Sequence, residues 1–299
     1  HAARGARVNV PRERLLALQE VLRARATQVP PAGWVTVVVG GYEVGVAAPE
    51  VARLLAGFRR PGEGRGPATF ANGATVPLPR ERPEGGFALL DNRLVLLDDG
   101  LDPSARTALL LDAALRLRDA GLLRGWRDEP LDVRPTPDAP PLAAIERAAC
   151  RTLGITTLTV HLNAFTPSGE FIVAQRAAHK QIDPGLWDNL VGGMVPAGES
   201  ELDALRREAQ EEAGVDIAAW PLERGGRIHV TRVVPEGYQS EIVQVFDAVL
   251  PAGIAPRNQD GEVQRFATLT PAATVAAIER GEFTLEAALV LLDALLRRD

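Results

Sequence analysis

Three glutamates, Glu208, Glu211 and Glu212, stand within five consecutive residues of the run REAQEEAG. At spacings of three and four residues, all three carboxylates share one face of a helix. Like charges so placed repel by a few tenths of a kcal/mol per pair when exposed, about the size of a single helical ion pair, so a cation is expected beside them. Carboxylate oxygens unaccompanied by Cys or His select hard ions, Mg²⁺ or Mn²⁺. Mg²⁺ in particular combines a few carboxylates with waters and substrate phosphates. The competing reading of an isolated E-x-x-E-E is a solvated helix face, which is what most charged runs are.

The surrounding elements decide between these readings. Ser200 is placed to cap the helix, Asp203 to complete a capping box, and Gly214 to end it at C′. On a helical wheel Leu202, Leu205, Ala209 and Ala213 fall in one apolar arc, with the three glutamates in the neighbouring arc. The run fits G-x5-E-x7-R-E-U-x-E-E-x-G-U, with Gly193, Glu199, Arg207, Glu208, Ala209, Glu211, Glu212, Gly214 and Val215 in the nine defined places. At roughly one in fifteen per fixed position, seven single-residue matches arise by chance on the order of once in 10⁸ starts. A solvated face does not require that spacing.

The run resembles the Nudix box, with small Ala209 in a place that is usually bulkier. The resemblance implies an α/β/α sandwich with a mixed sheet, and a diphosphate held over the helix by a divalent metal, Mg²⁺ or Mn²⁺. Carried over residue by residue, it makes Glu208, Glu211 and Glu212 the metal-binding and base-assisting carboxylates and the Gly192 carbonyl a further ligand. Glu199 and Arg207 become the ion pair that orients the helix. IERAACRTLGITTLTVHLNAF, QRAAHKQIDPGLWDNLVGGMVPAG and FDAVLPAGIAPRNQDGEVQRF look like the Nudix branch related to thiamin pyrophosphokinase. That branch couples a Nudix domain to an uncharacterised N-terminal domain. It implies hydrolysis of thiamin diphosphate or its oxy and oxo analogues; the alternatives are a house-cleaning diphosphatase for oxidised nucleotides and a non-catalytic diphosphate sensor.

Outside the box, Lys180 is the only lysine in the chain, and a compact ammonium there is expected to meet a phosphate oxygen. Arg176 is a second candidate for the substrate. Trp187 either faces a substrate ring or packs beneath the loop. Glu241 and Glu262 are candidates for an additional metal ligand or a general base. His161 and His179 read as structural, and Cys150 as buried packing.

Net charge is −6 over 299 residues, with net +3 in residues 1–137 and −9 in residues 138–299. A pI of 5.4 argues against a nucleic-acid polymer as partner. One cysteine excludes an intramolecular disulfide and a structural zinc site. No apolar run reaches the roughly 20 residues that span a bilayer, so no membrane association is expected. The start at His1, with no leader-like apolar segment, reads as a trimmed terminus of a cytoplasmic protein. RPTPDAPP reads as a linker between a small α+β unit, residues 1–137, and the Nudix domain, residues 138–299. PLAAIERAACRTLG is expected to be one helix. The sequence leaves open whether the chain forms a homodimer.

Overall fold

The computed structural model describes residues 10–56, 68–69, 75–76, 85–180, 182–251 and 253–298. Helix α1 (Arg12–Ala26) precedes a hairpin of β1 (Val35–Val39) and β2 (Tyr42–Ala47). Gly40 and Gly41 sit at φ +59° and +80°, the left-handed pair that a two-residue hairpin turn demands. Then come α2 (Pro49–Ala56), the two-residue strands β3 (Ala68–Thr69) and β4 (Thr75–Val76), and the hairpin β5 (Phe87–Leu90) and β6 (Arg93–Leu96). Most of the Gly- and Pro-rich stretch before residue 85 lies outside the described residues. Helix α3 (Pro103–Asp119) is capped by Asp102, whose carboxylate accepts the Ala105 amide at 2.8 Å. The strands form a sheet in the order β2-β1-β6-β5, with β1 and β6 parallel.

The expected helix PLAAIERAACRTLG divides into a strand, β8 (Ala143–Glu146), and a short helix, α4 (Arg147–Thr152). β8 pairs antiparallel with β7 (Pro130–Val133), and all four of its residues are buried. Glu146 fixes the break. Its carboxylate accepts the amides of Arg127 (2.9 Å), Glu129 (3.1 Å) and Ala148 (3.2 Å), tying β8 to the preceding loop while capping α4. Helix propensity in an alanine-rich run yields to this tertiary pairing. Residues 134–141 are therefore the connection of a hairpin, closed by Arg134 bonding Asp132 and the Ala139 carbonyl. Val37, Leu94, Leu110, Ile145, Leu153 and Ile155 pack in one apolar cluster, so the first core reaches Ile155.

Helix α1 packs elsewhere. Leu15, Leu22 and Ala26 join Phe171, Ile278 and Leu292 in a second core, and Arg14 pairs with Glu279. The opening helix thus belongs by packing to the C-terminal half.

That half contains β9 (Thr157–Phe165), β10 (Phe171–Arg176), β11 (Trp187–Asp188), β12 (Val191–Met194), α5 (Glu201–Ala213), β13 (Glu223–Val234), β14 (Gly237–Val249), β15 (Val263–Leu269), α6 (Pro271–Glu279) and α7 (Leu285–Arg298). The sheet runs β11-β10-β9-β14-β13, with β12 beside β9 and β15 beside β10. β9 and β14 are parallel and the other pairs antiparallel. Alternation along β9 divides the layers. Val160, Leu162 and Ala164 pack with Leu205, Ala209 and Ala213 of α5, whereas Phe165 packs with Leu289 and Leu292 of α7. This is the expected α/β/α sandwich with a mixed sheet, preceded by a small α+β region. α6 was not expected, although Thr270, which accepts the Ala273 amide, and Pro271 mark its start. Among the described residues no helix is long and apolar enough to cross a membrane.

Candidate active site

The carboxylates of α5 are placed by both ends of the helix. Ser200 Oγ accepts the Asp203 amide at 3.1 Å, and Gly214 closes the helix at φ +62°. Asp203 completes the cap differently from a capping box, accepting Ser200 Oγ–H at 2.6 Å. Ala204, within the glutamates' arc, is fully buried. β12 packs against that face and leaves the Glu208 side chain 15% exposed, while Glu211 keeps 51% of its side chain exposed, so the face is solvated only in part.

Arg207 is the hub of the helix. It donates Nη1–H to Glu208 Oε1 (2.8 Å) and Glu211 Oε2 (3.0 Å), Nη2–H to Glu199 Oε2 (3.2 Å), and a further bond to the Met194 carbonyl (3.3 Å). The expected Glu199–Arg207 pair is thus present, and it extends to two box carboxylates. Burial pushes the Glu208 carboxyl up to about 7, against the opposing pull of Arg207. Burial likewise raises Glu212, with Glu208 adding repulsion, while the Gly192 amide and Lys180 oppose the rise. Gly192 N–H donates to Glu212 Oε2 at 3.1 Å. Glycine beside it leaves the Glu208 carboxyl group its place, since a Cβ on Gly193 would overlap that group and displace it.

These carboxylates open into a cleft of about 990 Å³. Arg127, Arg147, Arg151, Arg176, Lys180 and Arg207 contribute cations to its lining. Arg127, Arg147 and Arg151 come from the first unit or its boundary and were missed by the sequence reading. Among the described residues no three carboxylate, imidazole or thiol groups form a ready-made metal cage. The donor chemistry nevertheless fits Mg²⁺ or Mn²⁺. Glu208 and Glu212 are hard oxygen donors held close enough to repel, and Arg207, the guanidinium bonded to Glu208, is shared with Glu199 and Glu211.

Lys180 and Glu262 are both on the cleft and form a direct ion pair. The Glu262 carboxyl, raised by burial, is brought below its ordinary value by the Lys180 ammonium. Arg176 also lines the cleft, but donates to Asp188 (3.0 Å) and the Ile182 carbonyl (3.0 Å), so it also braces the loop. Trp187 is not among the residues lining the cleft. Its ring packs against the α7 core under the Arg265 guanidinium, 5.1 Å away. His161 lines the cleft, with Nδ1 2.7 Å from Asn189 Oδ1. Cys150 is buried, its thiol pushed up to about 12 by burial. His179 is exposed.

The deep end of the cleft is on the α7 face of the sheet. Glu241, from β14, and Glu286, from the first turn of α7, both line it and are each 7% exposed. Gln239 Nε2 and Arg232 Nη2 donate to Glu286 Oε1 at 3.0 and 3.3 Å. Burial raises the Glu241 carboxyl, and the neighbouring Glu286 adds to that rise. Glu286 gave no motif signal, because helix α7 reads as apolar and the pairing with β14 is tertiary.

A mixed sheet carrying a glutamate-rich helix on one face, with a glycine pair at the strand edge beside it, defines the chain's class as a Nudix fold. Residues 156–289 match the family described as NUDIX domain, and residues 84–157 match the domain of unknown function DUF4743. The C-terminal region is thus similar to Nudix domains and the region before it to DUF4743. The chain is homologous to Nudix hydrolase 20, chloroplastic, of Arabidopsis thaliana, 32% identical over 65% of this chain and 54% of that protein. Nudix hydrolase 24, chloroplastic, from the same plant is 31% identical over 65% and 55%. The chain spans about half the length of these curated relatives. Among solved structures, DR0079 from Deinococcus radiodurans is 26% identical, covering 57% of this chain and 98% of its own, at a TM-score of 0.44.

Proposed function

We propose that this chain is a Mg²⁺- or Mn²⁺-dependent hydrolase that splits a diphosphate linkage to leave a monophosphate. Its substrate class is thiamin diphosphate or its oxidised analogues. The observation that carries the reaction is the meeting, in one cleft, of the box carboxylates and the cations of Arg127, Arg147, Lys180 and Arg207. Carboxylates suit the metal and cations suit phosphate oxygens. The thiamin reading is supported by the resemblance of residues 144–266 to the thiamin pyrophosphokinase-related branch. The buried Cys150 fits a reducing, cytoplasmic setting.

Glu208, Glu211, Glu212 and the Gly192 carbonyl would hold the metal, which when bound neutralises phosphate oxygens and acidifies the attacking water. Lys180 and Arg147 bind and orient the diphosphate, and Arg207 with Glu199 fixes the helix beneath it. Glu262 is the outside-box carboxylate assigned as base. It accepts a proton from water as oxygen bonds to phosphorus and the anhydride P–O bond breaks, releasing the monophosphate.

A screen of thiamin diphosphate, oxythiamin diphosphate, oxothiamin diphosphate and oxidised guanine nucleotides with Mg²⁺ tests the reading. A thiamin-type diphosphate is expected to lead in kcat/KM. A tenfold lead for an oxidised guanine nucleotide would replace it with the nucleotide reading, and no turnover on any of them would leave a binding protein.

A further inference from the structure

The arginines that the first unit and its boundary bring to the cleft converge from two segments. Arg124 and Arg127 lie in the loop between α3 and β7, and Arg147 and Arg151 lie four residues apart on α4, on one face of that helix. Glu146 holds the two segments together. Its carboxylate is fully buried and accepts the Arg127 and Glu129 amides. The Glu129 carboxylate in turn accepts Arg147 Nη1–H at 2.7 Å, and the Glu129 carbonyl accepts the Arg147 amide at 2.9 Å. Arg124, Arg127 and Arg151 have no carboxylate partner among the described residues. Like charges gathered in this way repel, and guanidiniums left without carboxylates suit phosphate oxygens. All four arginines line a side pocket of about 110 Å³, facing two carboxyl groups, Glu236 and Glu241. Arg127, Arg147 and Arg151 also line the main cleft, so the two spaces are contiguous. Arg147 is within electrostatic reach of Glu208 and Glu262. Pockets for drug-sized ligands begin at roughly 300 Å³. The side pocket has room for a phosphoryl group and not for a second organic half.

We propose that Arg124, Arg127, Arg147 and Arg151 form a subsite for the terminal, unesterified phosphate of the substrate, so that the protein selects diphosphates substituted at one end over those substituted at both. A terminal phosphate carries close to two negative charges at neutral pH and presents three free oxygens, which several guanidiniums can bond at once. A phosphate that carries a further ester keeps one charge and two free oxygens. Its second substituent would also have to enter the side pocket, whose volume excludes it. The assignment rests on the diphosphatase reading, which keeps the inner phosphate with the metal and Lys180 and leaves the wide cleft to the organic half. It holds for thiamin-type and nucleoside diphosphates alike, and it gives the first unit a part in substrate choice.

Calorimetric binding to the full chain with Mg²⁺ provides the test, on two probes that cannot be hydrolysed, the monomethyl ester and the P,P′-dimethyl ester of methylenediphosphonate. The monoester is expected to bind at least about tenfold more tightly. Arg127→Ala and Arg151→Ala, with melting temperature as the folding control, should each reduce that preference at least about fivefold. Lys180→Ala should weaken both probes by similar factors. Equal affinities in the wild-type protein, a preference undiminished in both folded arginine variants, or no binding by either probe would overturn the subsite. Turnover of thiamin-type and nucleoside diphosphates by the same wild-type protein is read separately. The preference without turnover would refute the hydrolase reading and leave the subsite standing, whereas turnover without the preference would overturn the subsite alone.

Discussion

The Lys180 ammonium is bonded directly to the Glu262 carboxylate, joining the loop after β10 to the start of β15 at the mouth of the cleft. This pair couples the proposed phosphate contact to the proposed base. Burial raises the Glu262 carboxyl, and the Lys180 hydrogen bond and charge more than offset that, leaving it below its ordinary value. A base must be ionised to act, so activity falls as pH drops through this lowered pKa. Removing the ammonium lets the pKa rise. Lys180→Ala should therefore shift the acidic limb of the kcat/KM profile to higher pH and raise KM about tenfold, with Lys180→Arg rescuing only part of the KM. An unshifted acidic limb would separate Glu262 from the reaction.

Gly193 lies against Glu208 so closely that a Cβ would overlap its carboxyl group. The obstructing atoms are the end of a flexible side chain, so Gly193→Ala should fold, at a stability change of about 1 kcal/mol or less. Glu208 must swing away, and kcat/KM should fall at least tenfold. Gly192→Ala, where the Cβ would meet the His161 ring at 3.2 Å, is expected to be milder. Melting curves beside steady-state kinetics distinguish the two effects.

Arg207 bonds Glu199, Glu208 and Glu211 together. Arg207→Ala leaves partly buried carboxylates unpaired, which should destabilise the fold by roughly 1–3 kcal/mol in denaturant titrations. Glu199→Gln, which keeps an acceptor for the guanidinium, should cost less than half as much.

The first unit supplies Arg127 and Glu129 to the cleft. The β7–β8 pairing crosses residues 134–141, so a chain cut at 137 separates paired strands and exposes the first core. Residues 138–299 alone are expected to be insoluble. The contribution of the first unit is better measured in the intact chain, where Arg127→Ala should raise KM severalfold with kcat nearly unchanged. An unchanged KM would remove Arg127 from substrate binding.

How far the sequence could be read depended on how local each signal was. Ser200, Gly214 and the spacing from Gly193 to Val215 act within a few residues, and helix α5 follows from them. The hairpin at Gly40-Gly41 is equally local. β8 was hidden because Ala143–Glu146 has helix-forming composition, and its strand state comes from β7 and from three amides converging on Glu146. Helix α1 gave no sign that it packs on the far half of the chain. Glu286 and Arg147 reach the cleft through tertiary packing alone, so no spacing pattern announced them. Trp187 was legible only as an aromatic in a loop, and the core behind it decides where its ring packs.

If α5 carries a metal-dependent diphosphatase site, Glu212→Gln probes it most directly. The substitution keeps the side chain's shape and an acceptor for the Gly192 amide, 3.1 Å away in the native protein, while removing one proposed metal charge. Turnover of thiamin-type diphosphates should be measured across a Mg²⁺ titration, with melting temperature as the folding control. A folded variant with at least about a hundredfold lower kcat and a weakened Mg²⁺ dependence is the expected result. A folded variant with near-native turnover and the same Mg²⁺ dependence would contradict the account.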